Sequence, residues 1–140
     1  MNESITINGL CPLLNVFDMP ESLKFYRDKL GFKVIDSSGE GDDVGWCWLR
    51  LNETELMLNT IYDKEDRPSQ KDMTRQAAHI DTAIYFGCPD VNETYQYLLN
   101  KGNDVKPPIK TGYNFMALFV VDPDGYQLVF HWPVKDNNSI

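Results

Sequence analysis

Asp18-Met19-Pro20-Glu21-Ser22-Leu23-Lys24-Phe25-Tyr26-Arg27-Asp28-Lys29-Leu30-Gly31-Phe32 reads as one helix with both ends marked. The Asp18 side chain is placed to accept a backbone N–H near Glu21, and Glu21 to reach back, which makes a capping box. Pro20 is tolerated in a first helical turn. Leu23, Tyr26 and Leu30 fall at i, i+3 and i+7, a single apolar stripe that a sheet would cover. Gly31 supplies the left-handed residue that stops the helix. The same plan returns 72 positions later (90 − 18): Asp90-Val91-Asn92-Glu93 opens a second helix, and Lys101-Gly102 ends it. Val91, Tyr95 and Leu98 form its inward stripe.

Around each helix the apolar runs repeat as well. Leu10 to Phe17 and Thr82 to Phe86 precede the helices as strands, bounded by turn residues. Three strand-like runs follow each helix. In the first half these are Phe32 to Ile35, Val44 to Leu51, and the returning run from Glu55 to Asn59, with a polar, glycine-rich turn from Ser37 to Asp43. In the second half they are a brief strand at Val105 before Pro107-Pro108, then Phe115 to Val121 and Tyr126 to Trp132. Asp122-Pro123-Asp124-Gly125 joins the last two as a turn with Pro at i+1 and Gly at i+3. The order is βαβββ twice, an α+β arrangement of two tandem modules whose curved mixed sheets surround a cavity. The chain then reads as one domain over 1–140: a first module at 9–61, a connector at 62–78, a second module at 79–134 and a tail at 135–140. The connector is dense in charge, Gln and Ser. It is long for a patternless segment in a compact domain and is placed to act as a flap.

Strand alternation separates two faces. Trp46, Trp48 and Arg50 share one; Cys47, Leu49 and Leu51 share the other, which a helix would cover. Glu55, Met57 and Asn59 alternate with Leu56 and Leu58, so Glu55 and Met57 join the tryptophans on the concave face.

A net charge of −8 and a pI near 4.6 argue against nucleic acid, since phosphate binding needs a basic face. They suit a cationic ligand, and also plain solubility. No apolar run approaches the roughly 20 residues of a membrane span, and the polar N-terminus lacks a signal pattern. The expectation is a cytoplasmic protein. Cys11, Cys47 and Cys88 are odd in number and form no CxxC pair, as unpaired thiols of a reducing compartment.

Asn15-Val16-Phe17-Asp18, Ser22-x-x-Phe25-Tyr26…Leu30-Gly31-Phe32, Glu55-Leu56-Met57-Leu58 and Val121-Asp122-Pro123-Asp124-Gly125-Tyr126 together resemble the vicinal oxygen chelate superfamily. That superfamily includes glyoxalase I, extradiol dioxygenases, and fosfomycin- and bleomycin-resistance proteins. The resemblance spans nearly the whole chain. It implies the fold, but it leaves the chemistry open, because this scaffold hosts unrelated reactions. Metal-dependent members place a ligand at each of four concave positions, which carry over to Cys11, Glu55, Ala83 and Val129. Only Glu55 matches the family's usual His or Glu, and Ala and Val bind no metal. A shifted cluster would draw on Cys11, Glu55, His79 or Asp81, and His131. Two residues along a strand is about 6.6 Å, which works against convergence.

What remains resembles the metal-free, bleomycin-resistance-like branch. The expectation is a homodimer that sequesters a flat or cationic drug-like molecule without a cofactor, its ligand contacts drawn from Trp46, Trp48, Arg50, Glu55, Met57, Tyr113 and Phe115. Trp46 and Trp48 offer π-faces to a cation; they serve equally as core or dimer contacts. Arg50 is as well suited to a structural ion pair with Glu55 as to clamping a ligand. The alternative is a metal-dependent lyase or dioxygenase with an atypical site that includes Glu55, on a divalent metal. A regulatory module without ligand is the third possibility. No Ser-His-Asp or Cys-His constellation and no phosphate-cradling glycine loop is present.

Overall fold

The computed structural model describes residues 3–135, so the predicted tail lies outside the described residues apart from Lys135. Among the described residues eight strands form two four-stranded mixed sheets. The first sheet, in the order β1-β4-β3-β2, holds β1 (Leu13–Val16), β2 (Lys33–Ser37), β3 (Trp46–Leu51) and β4 (Thr54–Thr60). The second, in the order β5-β8-β7-β6, holds β5 (Ala83–Gly87), β6 (Ile109–Lys110), β7 (Phe115–Val121) and β8 (Gln127–Pro133). The pairs β1·β4 and β5·β8 run parallel and the rest antiparallel. The duplication extends to register: Leu13 pairs with Met57, and 72 residues on, Tyr85 pairs with Val129.

The helices follow the sequence closely. Helix α1 (Met19–Leu23) continues as a π-helical turn over Lys24–Lys29. Asp18 accepts the Glu21 N–H at 3.1 Å, but the return leg of the capping box is absent because the Glu21 carboxylate takes Lys71 Nζ at 3.0 Å instead. Leu23, Tyr26 and Leu30 are buried as their spacing predicts, and Phe25 joins them. The widened turn, in which the Leu30 N–H donates to the Phe25 carbonyl at 3.0 Å, accompanies the burial of both adjacent rings. Helix α3 (Val91–Asn100) is capped by Asp90, which accepts the Glu93 N–H at 2.9 Å.

Besides shifts of one or two residues at other strand ends, three features differ from expectation. Strand β1 begins at Leu13, because Pro12 has no N–H for the ladder, and Leu10 is 86% exposed. The short strand of the second module is Ile109–Lys110, after Pro107-Pro108, whereas Val105 packs half-buried against the core. The connector is not patternless: Asp72 caps a helix α2 (Met73–Ala78), followed by a 3-10 turn at His79–Asp81.

One hydrophobic cluster joins both halves, with Leu14, Leu49 and Leu58 of the first sheet meeting Leu118, Leu128 and Phe130 of the second. Both sheets therefore turn their helix-covered faces to a common core, and their other faces point outward.

The Asp122-Pro123-Asp124-Gly125 turn fastens the halves together. Tyr26 donates to Asp122 Oδ2 at 2.6 Å, and Asp122 Oδ1 accepts the N–H groups of Asp124 and Tyr126 at 2.9 and 2.8 Å. Asp124, also buried, accepts the Phe17 N–H at 2.9 Å and Gln76 Nε2 at 3.1 Å. Lys71 donates to the Pro123 carbonyl at 2.7 Å. The His79 ring stacks on Tyr126 with centroids 4.1 Å apart, and its Nδ1 lies 2.6 Å from the Asp124 carbonyl. Gly125, at φ +88°, leaves room for this docking: a Cβ there would lie 2.4 Å from the Gln76 carbonyl oxygen. The connector is thus clamped to the turn.

Burial pushes the Asp122 carboxyl from 3.8 up to about 6, against the pull of its donors. Between those values the native state holds a proton that the unfolded chain has released. Stability from this group is present below about pH 4 and is lost as pH rises to about 6, by on the order of 3 kcal/mol. Urea unfolding at pH 4, 5, 6 and 7 should show the wild type losing stability relative to Asp122→Asn across this range; parallel profiles would remove the assignment. Tyr26→Phe should cost about 1.5–3 kcal/mol at pH 7, because it strips a donor from a buried carboxylate.

Candidate ligand-binding face

The β3–β4 hairpin builds the first outward face. Cys47 and Leu49 are buried on the core side, which leaves Trp46, Trp48 and Arg50 on the other. Across the hairpin Trp46 faces Asn59, Trp48 faces Met57, and Arg50 faces Glu55. The two tryptophans are half-buried. The structure therefore brings five of the expected residues together.

Within that group Glu55 is already engaged. Its Oε1 accepts Arg50 Nε at 3.2 Å and Nη2 at 2.9 Å, and its Oε2 accepts Trp48 Nε1 at 3.0 Å. The guanidinium also lies 5.4 Å from the Trp48 ring centre. These Arg50 bonds, and then the Trp48 bond, hold the Glu55 carboxyl below its ordinary range. The arrangement is a surface ion pair that fixes the orientation of Trp48.

The outward face of the second sheet carries a separate aromatic cluster. Phe115 stacks on His131 with centroids 4.9 Å apart, and Tyr85 meets His131 edge-on at 5.0 Å. Val129 lies between Tyr85 and Phe119 in register and is fully buried. Tyr113 does not join: it is 85% exposed in the loop before β7. Phe115 and the tryptophans lie on different sheets, and where the sheets adjoin, Glu55 and Tyr85 line one cavity of about 200 Å³. Sequence reasoning missed Tyr85 as a member of this face. The parity of Ala83, Tyr85 and Gly87 was the available signal.

Of the four positions that the resemblance implies, Ala83 and Val129 carry no donor, and Cys11 and Glu55 carry one each. The repeated register relates Val129 to Met57 and Glu55 to Gln127. The shifted cluster does not form. His79 is held on Asp124 and Tyr126, Asp81 is exposed in its turn, and His131 sits among aromatics. Among the described residues no three His, Cys, Asp or Glu side chains gather as a metal would require.

Burial first, then the Glu55 charge, pushes the Cys11 thiol upward. Glu55→Gln should therefore move the pH dependence of Cys11 alkylation by iodoacetamide toward lower pH, with little change in melting temperature because the ion pair is exposed. An unchanged alkylation profile would separate Cys11 from this group.

Comparison with known proteins matches this architecture. The family model described as "Glyoxalase/Bleomycin resistance protein/Dioxygenase superfamily" covers residues 7–130. A lactoylglutathione lyase of Haemophilus influenzae is 30% identical over 129 residues, spanning 84% of this chain and 87% of the relative. A bleomycin resistance determinant encoded on the transposon Tn5 superposes with a TM-score of 0.66 at 18% identity, over 91% of this chain and 98% of that one. The bleomycin-binding protein of Streptomyces verticillus, solved with copper(II)-bleomycin, gives 0.63 at 16% identity, over 95% and 100%. With its doubled βαβββ plan and this coverage, the chain belongs to the glyoxalase/bleomycin resistance protein/dioxygenase superfamily.

Proposed function

We propose that the protein is a metal-independent, cytoplasmic small-molecule-binding protein that sequesters a flat, cationic or drug-like ligand as a homodimer. The observation that carries this reading is the contrast between the two kinds of side chain on the outward faces. Donors at the four positions that the resemblance implies are reduced to Cys11 and Glu55, the latter already bonded to Arg50 and Trp48, while Trp46, Trp48, Tyr85 and Phe115 present aromatic surface. The dimer is supported by the geometry of the core: with both faces turned outward, a cavity between two such faces draws on a second copy. A bleomycin-binding protein and a bleomycin resistance determinant among the structural neighbours support the ligand class. A ligand cation reaches Glu55 only by sharing it with Arg50, so stacking on the indoles is the first contact and charge the second.

The competing reading is a metal-dependent lyase that uses Glu55, and the 30% identity to a lactoylglutathione lyase favours it. Thermal unfolding of chelator-treated protein separates the two. Mn, Fe(II), Ni and Zn should leave the midpoint unchanged. The flat cation 9-aminoacridine should raise it with the logarithm of concentration, and Trp48→Ala should abolish that rise. A rise with one metal that Glu55→Ala removes would replace this reading with the lyase.

A further inference from the structure

We infer that the seam between the two modules holds a second small-molecule site, for a neutral, planar aromatic ligand, separate from the outward faces. A cleft of about 360 Å³ opens where the end of the first helix, the β3–β4 turn and α3 meet. Well-packed interiors leave few voids larger than a water, whereas small-molecule sites run from about 300 to 1,000 Å³. Its walls come from the core side of both sheets, so it is not a continuation of the tryptophan face.

The lining defines the ligand. Phe86 and Phe130 stack with centroids 5.0 Å apart, and Phe32 meets Phe86 edge-on at 6.4 Å, which makes an aromatic corner. Leu30, Leu51 and Leu98 complete the apolar wall. Among the described residues no Asp, Glu, Lys, Arg or His lines the cleft, in a chain of net charge −8. A charged ligand would lose its hydration there without a counter-charge, at high cost. Gly31 helps to keep the mouth open: a Cβ on it would stand 3.1 Å from the Tyr97 hydroxyl. Polar groups sit at the rim. Thr94 Oγ1 donates to the Asp90 carbonyl at 3.1 Å and lies 2.8 Å from Cys88 Sγ. The Thr54 and Tyr97 hydroxyls stand nearby on the lining. An aromatic ring against the phenylalanines, with one hydroxyl toward this rim, matches the apolar wall and its polar edge.

The test titrates the full chain with 2-naphthol by calorimetry. One saturable site is expected, with 2-naphthoate weaker by at least about tenfold. Saturating 2-naphthol should slow iodoacetamide alkylation of Cys88 at least about fivefold, as when about four-fifths of the sites are filled, and leave Cys11 unaffected. Thr94→Phe and Leu51→Phe, which fill the cleft from opposite walls, should each weaken binding at least about tenfold, while Trp48→Ala keeps it within about twofold. The Cys88 protection is read on wild-type protein and stands even if one filled variant misfolds. Absence of saturable binding, absence of Cys88 protection, equal affinity for 2-naphthoate, or loss of binding in Trp48→Ala with retention in both filled variants would each overturn the site. The last of these would instead place 2-naphthol on the tryptophan face.

Discussion

The Asp122-Pro123-Asp124-Gly125 turn is the constraint on which the rest depends. It buries two adjacent carboxylates, an arrangement that is costly unless every oxygen finds a donor. Those donors come from three places distant in sequence: the first helix through Tyr26, the end of β1 through Phe17, and the connector helix through Gln76. One four-residue turn thereby sets how the first module, the connector and the second module meet. Once that meeting is set, each sheet's apolar side is committed to the common core and its other side to the outside.

The site follows from this commitment. Strand parity decides that Trp46, Trp48 and Arg50 travel together, and the core decides that they travel outward. What the outward faces then carry is sequence choice on a fixed frame. The first sheet received indoles and an ion pair, and the second received a Tyr-His-Phe cluster over a buried valine.

Much of this was legible in the sequence because it rests on local rules. Asp18 and Asp90 cap their helices as their spacing to Glu21 and Glu93 predicts, and the 3.6-residue stripe of Leu23, Tyr26 and Leu30 is buried. The alternation across Trp46 to Leu51 sorted its two faces correctly. Failures came where a long-range partner outbid a local one. Glu21 left its capping box for Lys71, which is 50 residues away. Helix α2 carries no apolar stripe, since its anchors are Gln76 and His79 on a distant turn, so its residues looked like polar connector. The pairing of Met57 with Val129 under the internal repeat was not legible either, because only cross-strand register, and not spacing to a motif, reveals it.

The turn's bonds also bear on how the chain reaches this state. Phe17 and Asp124 are 107 residues apart, and Tyr26 and Asp122 are 96 apart. Closing loops of that length carries a large entropic cost before any contact rewards it. The β3–β4 and β7–β8 hairpins and the capped helices are assembled from near neighbours. A chain of high contact order folds slowly, and here the step that closes the longest loops is the one that satisfies the buried carboxylates. The buried carboxylates of the second module thus meet Phe17, Tyr26 and Gln76, their partners from the rest of the chain, only once those longest loops have closed.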